Sequence, residues 1–185
     1  MNDLPKTIEC SGKVVTLRRF RADDLDAMLK FARSLPEHDL LFLDRDLKHR
    51  KVVDAWLAEI EDGFIDSLIA EAPSGVVGTS ALVRDPLGWS THVGELRLLV
   101  SPKLRGVGLG RAMLEESFRM ALQRDLRKLI ARMTPDQTAA IALFEDLGFV
   151  REALLADHVM GRDGVTHDLI VLSQTVERAA ARLVA

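Results

Sequence analysis

Apolar positions along the chain fall into two spacings, and the switches between them outline the fold. Over 13–20, KVVTLRRF, β-branched residues follow Gly12 and predict a first strand. Leu25, Met28, Leu29 and Ala32 recur three and four apart, as do Val53, Trp56, Leu57 and Ile60, which predicts two amphipathic helices. The acidic stretch LPEHDLLFLDRD separates them. DSLIAEA and VVGTSALVR flank the turn signal Pro73-Ser74-Gly75, predicting an antiparallel hairpin. VGELRLLV, 93–100, is apolar almost throughout, as in a central strand covered on both faces. Leu114, Phe118, Ala121 and Leu122 mark a helix and KLIARM, 128–133, a further strand, so this stretch reads as a βαβ unit. A short helix in PDQTAAIALFEDL ends at Gly148, a C-cap residue. The hairpin FVREALLADHVMGRDGVTHDLIVLSQ and a C-terminal helical tail complete the pattern.

Interleaved strands and helices with hairpins at both ends predict an α/β protein built on a mixed sheet with helices on its faces. Composition narrows this to one domain over 1–185, since 185 residues at 48% hydrophobic content bury one substantial core. A net charge of −3, with basic and acidic side chains spread along the chain, offers no basic field for nucleic acid and no polybasic membrane anchor. The start MNDLPKTIECSGK lacks the regions of a signal peptide, and no apolar run approaches the ~20 residues of a membrane span, so the expected location is the cytoplasm. The lone Cys10 cannot form an internal disulfide, and a thiolate zinc site would need more cysteines.

The densest chemical signal is VSPKLRGVGLGRAMLEE, 100–116, where Gly106, Gly108 and Gly110 crowd between Arg105 and Arg111 as the central strand ends. In open sheets with helices on both faces, ligands gather at the carboxyl ends of strands. A helix start carries unpaired N–H groups and about half a positive charge, and glycines let a phosphate reach that backbone. A pyrophosphate is the fitting guest. The turn lacks the Gly-Lys-Ser/Thr ending of a nucleotide P-loop. A dinucleotide fingerprint would follow the first strand, with an acidic residue ending the second, whereas Asp125 is placed on the helix.

ELRLLVSPKLRGVGLGRAML followed by TPDQTAAIALFEDLGFV resembles the acetyl-CoA-binding core of the GNAT superfamily of N-acetyltransferases. The diagnostic part is residues 95–149, and a looser likeness extends over 13–173. The resemblance implies a mixed, mostly antiparallel sheet of about seven strands. It also implies that Arg105, Gly108 and Gly110 cradle the coenzyme A pyrophosphate, with Gly106, Val107, Leu109 and Arg111 adding backbone N–H groups. By the same resemblance Leu98, Leu99 and Val100 hold the pantetheine arm and polarise the thioester carbonyl.

A primary ammonium must lose a proton before it attacks a thioester. Glu95, the single acidic residue of the central strand, is the candidate general base, raised in pKa if its neighbours are apolar; pairing with Arg97 or an arginine of an adjacent strand is the alternative. Two positions depart from the family. Gln137 stands where an Asn commonly contacts the coenzyme arm, and Thr134-Pro135-Asp136-Gln137 also fits a helix capping box. Phe144 stands where many members carry a Tyr that protonates the departing thiolate, and the chain contains no tyrosine. His158, His167 and Asp168 read as hairpin residues rather than a metal site, so no metal is expected. The run Glu37, Asp39, Asp44, Asp46 borders the acceptor groove by analogy and suggests a cationic amine acceptor. A homodimer is compatible with this reading.

The expected activity is acetyl transfer from acetyl-CoA to a primary amine by direct attack in a ternary complex, since neither Cys10 nor a Gly-x-Ser-x-Gly serine offers a covalent carrier. The rival reading is a regulatory acyl-CoA-binding module without turnover.

Overall fold

The computed structural model describes residues 4–10 and 12–178. It contains eight strands in one sheet: β1 (Lys6–Cys10), β2 (Lys13–Arg19), β3 (Ile65–Ala72), β4 (Gly75–Arg84), β5 (Val93–Val100), β6 (Lys128–Met133), β7 (Val150–Met160) and β8 (Thr166–Thr175). The helices are α1 (Leu25–Ser34), α2 (Arg50–Glu61), α3 (Leu109–Gln123) and α4 (Thr138–Asp146). Strand order is β1-β2-β3-β4-β5-β6-β8-β7, antiparallel except for the parallel β5–β6 pair. The sheet is therefore mixed and mostly antiparallel, as expected, with one strand more than the expected seven. The extra strand is β1. Its sequence KTIEC buries only Cys10 fully, so no apolar alternation announces it; register with β2 and an ion pair from Lys6 to the buried Glu116 of α3 hold it in place. The helical tail expected after β8 is described only to residue 178, and its remainder lies outside the described residues.

β3 and β4 are buried along most of their length because helices cover both faces of the sheet. Alternation along β3 divides its side chains: Leu68 joins the cluster under α3 and α4, whereas Ile65 and Ile69 join the one under α1 and α2. Phe118, Met120 and Ala121 of α3 and Ile141 and Phe144 of α4 fill the first face. Met28, Phe31 and Ala32 of α1 with Val53 and Trp56 of α2 fill the second. The segment between α1 and α2 is irregular but fixed, since its Leu40, Phe42 and Leu47 are buried in that same cluster. Among the described residues no helix is long and apolar enough to cross a membrane.

Candidate active site

β4 pairs with β5 from Gly94 to Val100, but β6 joins the other edge of β5 only at Val93–Glu95, opposite Lys128–Ile130. Beyond Glu95 the two parallel strands part and leave a cleft of about 670 Å³. Leu96, Leu98, Leu99 and Val100 line one wall, and Arg132, Met133 and the first turns of α4 line the other. Over 96–100 the edge of β5 that faces the cleft has no strand on it among the described residues. Its peptide groups need partners, and an extended ligand arm can supply them.

The glycine turn closes one end of this cleft. A short 3₁₀ turn at Pro102–Leu104 buries Leu104, and the chain then passes through Gly106 at φ +71° and Gly108 at φ +87°, values that L side chains rarely adopt. Gly108 is the N-cap of α3, so the first N–H groups of a 15-residue helix point into the turn. A Cβ added at Gly106 or Gly108 would meet no protein atom within 4 Å; both positions border open space. Gly110 is confined by packing instead: a Cβ there would lie 3.1 Å from Leu143 Cδ2 of α4 and 3.3 Å from Leu98 Cδ2 of β5, so both side chains would have to shift. Leu98, Leu99, Val100, Arg105, Gly106, Gly108, Gly110, Arg111, Gln137 and Phe144 all line the one cleft. Val107 and Leu109 do not; their side chains pack into the core beneath the turn, Leu109 completely.

Arg105 is already engaged. Its Nε donates to the Val100 carbonyl at 3.2 Å and its Nη2 to Asp39 at 2.5 Å. The same treatment extends along the acidic run between α1 and α2. Glu37 and Asp46 pair with Arg162 at the β7–β8 tip, and Asp44 pairs with Arg97 and Arg132. Burial works against the charge on Asp44, yet the two guanidinium groups outweigh it and hold the carboxyl below its ordinary pKa. The four carboxylates expected to face a cationic acceptor thus face the protein's own arginines. Spacing along the chain carries no trace of this, since the partners lie far away in sequence.

Glu95 sits in the same network and is absent from the cleft lining. Its oxygens accept from Arg97 at 3.0 and 3.3 Å and from Arg132 at distances between 2.8 and 3.1 Å. The apolar surroundings expected for a base are corrected here: the guanidinium of the adjacent strand occupies that space, the ion-pair alternative raised above. Both of its oxygens are committed to the two guanidinium groups.

The capping box is realised in part. Gln137 accepts from the Thr134 N–H at 3.2 Å, but α4 begins at Thr138, and Pro135 lies in a turn before it. Thr134 does not cap the helix; its hydroxyl lies 3.1 Å from Nε2 of His38, which also meets Asp136 Oδ2 at 2.7 Å. Sequence reasoning passed over His38. The one signal was its place in the acidic stretch bordering the groove. Phe144 is buried and meets Phe149 edge-on, centroids 5.0 Å apart, so it serves packing as well as the cleft wall. Asp168 accepts from the Asp157 N–H at 2.8 Å, and the His167 ring lies edge-on to His38 at 5.2 Å. Among the described residues no three His, Cys, Asp or Glu are placed to hold a metal. Cys10 is buried, which pushes its thiol pKa up.

The model of the acetyltransferase (GNAT) family matches residues 26–149. Mycothiol acetyltransferase of Amycolatopsis mediterranei is 35% identical over 160 residues, 80% of this chain and 50% of that protein. The chain thus spans about half the length of that relative. Ribosomal-protein-alanine N-acetyltransferase from Brucella melitensis superimposes with a TM-score of 0.74 at 27% identity, covering 86% of this chain and 98% of that one. Spermidine N-acetyltransferase from Vibrio cholerae, solved with CoA and spermine, shares the fold at a TM-score of 0.74 and 16% identity, over 90% and 98% of the two chains.

Proposed function

Because this chain belongs to the GNAT acetyltransferase family, we propose that it forms one acetyltransferase domain that moves an acetyl group from acetyl-CoA to a primary amine. The parted strands β5 and β6, ending in the Gly106–Gly110 turn, carry this reading. The cleft fits the proposed co-substrate. Open space beside Gly106 and Gly108 admits a pyrophosphate to the N-terminus of α3, and Arg105 supplies a cation. The unpaired edge of β5 over Leu98–Val100 suits the amides of a pantetheine arm, with Gln137 and Phe144 on the facing wall. The bound thioester supplies an activated acetyl carbon; the protein orients it and removes a proton from the amine.

In this proposal Glu95, paired with Arg97, positions Arg132 at the cleft wall, and no side chain carries the acetyl group. Phe144 has no proton to give. A coenzyme A thiol with a pKa near the ~8.5 of free cysteine leaves readily enough near neutral pH for this to be tolerable. Likeness to a mycothiol acetyltransferase and a ribosomal-protein-alanine N-acetyltransferase does not name this chain's acceptor; the family supports an amine and no finer class.

Thermal denaturation with ligands tests the cleft. CoA or acetyl-CoA raises the Tm, by the equivalent of about 2.7 kcal/mol at a hundredfold excess over Kd, while NAD and ATP do not. Thiol release with a panel of amines tests the chemistry. Binding without release for every amine would favour the non-catalytic acyl-CoA sensor, to which Phe144 lends support.

A further inference from the structure

We propose that His38 is the proton acceptor for the incoming amine, held in its working tautomer by Asp136 and Thr134. The inference rests on the acetyl-transfer reading above and names a residue for its least accounted step.

His38 lies in the 3₁₀ turn Glu37–Leu40 and lines the cleft together with Leu98, Leu99 and Met133. Its Nε2 is 2.7 Å from Asp136 Oδ2 and 3.1 Å from the Thr134 hydroxyl. A carboxylate accepts only, so Nε2 carries the hydrogen and donates it, which leaves the lone pair on Nδ1. Among the described residues no hydrogen bond is made to Nδ1. The arrangement is a base whose far nitrogen is oriented by an acid, the order in which a neutral imidazole takes a proton and its imidazolium is then stabilised. Three elements fix the ring. Its own turn is anchored by the buried Leu40, by Asp39 on Arg105 and by Glu37 on Arg162; Asp136 follows β6; and His167 of β8 packs edge-on at 5.2 Å. The ionisable groups facing the ring are accordingly Asp136 and His167, with Arg132 elsewhere on the cleft wall.

Glu95 lacks these features, since both its oxygens are taken up by two guanidinium groups. His38 is about a third exposed, at 36% of its side chain, so it can return a proton to solvent after each turnover.

The step balances. An ammonium loses one proton to Nδ1, its nitrogen lone pair forms the C–N bond at the thioester carbonyl, and the C–S bond breaks. The nitrogen's second proton goes to the departing thiolate, which needs no tyrosine, and the imidazolium gives its proton to water. The products are an amide, a thiol and one released proton.

The experiment compares purified wild type with His38→Gln, His38→Gly and Asp136→Asn, using acetyl-CoA and an amine the wild type accepts. Positioned proton transfer is worth about 10²–10⁴-fold, so His38→Gln should lower kcat about a hundredfold at pH 7. The deficit should narrow to under about tenfold at pH 9.5, where a primary amine with pKa near 10 deprotonates unaided. Asp136→Asn should fall about tenfold, and added imidazole should restore part of the activity of His38→Gly. The CoA-dependent Tm shift of all three variants should match wild type. A His38→Gln kcat within threefold of wild type at pH 7, or a deficit that does not narrow with pH, overturns the role while leaving the acetyl-transfer reading intact. A wild type that binds CoA but releases no thiol with any amine overturns both.

Discussion

The two ends of the cleft are built in opposite ways. At the glycine turn the groups open to the cleft are main-chain N–H groups of consecutive residues, freed by two left-handed glycines and the start of α3. At the other end, under the segment 37–46, the groups are side chains, and each is tied to a partner far along the chain: Asp39 to Arg105, Asp44 to Arg97 and Arg132, His38 to Asp136. A backbone site is indifferent to most substitutions but intolerant of a Cβ where φ is positive. A side-chain site is the reverse. The difference teaches where a specificity change can arise under the proposed reading: the end proposed for the coenzyme is fixed by conformation, whereas the end proposed for the acceptor can be rewired one ion pair at a time.

The largest effect is expected at the backbone end. Gly108→Val places a β-branched side chain at φ +87° and a bulky group in the open space beside the turn. It should abolish the CoA-dependent Tm shift, worth about 2.7 kcal/mol at a hundredfold ligand excess, while circular dichroism shows a folded protein. An undiminished shift would remove the turn from the binding site.

Next is Glu95→Gln, which removes the more buried of the two carboxylates that Arg97 and Arg132 share and leaves them only Asp44. Removing one partner of a buried pair costs 3–5 kcal/mol; with these side chains still 10–19% exposed, about 2 kcal/mol is expected in urea unfolding. Any loss of kcat should be the same at pH 7 and pH 9.5. A loss confined to the lower pH would return the base to Glu95 and sink the positioning role.

A smaller effect, of opposite sign, is expected at the contact joining the two ends. Asp39 holds Arg105 at 2.5 Å, and an incoming phosphate must share or displace it. Asp39→Asn removes the competing charge and should tighten CoA binding about three- to tenfold by titration calorimetry, roughly 1 kcal/mol. Unchanged or weaker binding would mean that Asp39 orients Arg105 for the ligand.

The smallest concerns pH. Arg97 and Arg132 hold the folded Asp44 carboxyl below its ordinary pKa against a partial desolvation that works the other way. A depressed folded pKa stabilises the protein above the unfolded value near 3.9, and that stability is lost as pH falls through the folded one. The side chain is 56% exposed, so the difference between wild type and Asp44→Asn should be under about 1 kcal/mol at pH 7 and should shrink steadily as pH falls below the ordinary carboxylate range. A difference that grew on acidification would contradict the sign.

What the sequence determined by itself is what contiguous residues decide. The run Arg105-Gly106-Val107-Gly108-Leu109-Gly110, which follows β5 and its short 3₁₀ turn, turns tightly and starts a helix, because the φ values and freed N–H groups belong to the local chain. The same holds for the alternation of strands and helices and for the Gln137 bond back to Thr134. Tertiary structure alone decided what depends on strands meeting out of chain order. β1 needed the register of β2 to exist, because one buried cysteine gives no pattern. Glu95 became an ion-pair partner because β6 sets Arg132 beside it, and His38 came to face Asp136 because buried apolar side chains pin its turn over the cleft. A carboxylate or an imidazole takes its chemistry from neighbours within a few ångströms, and here those neighbours lie 37, 96 and 98 residues away or sit across the sheet.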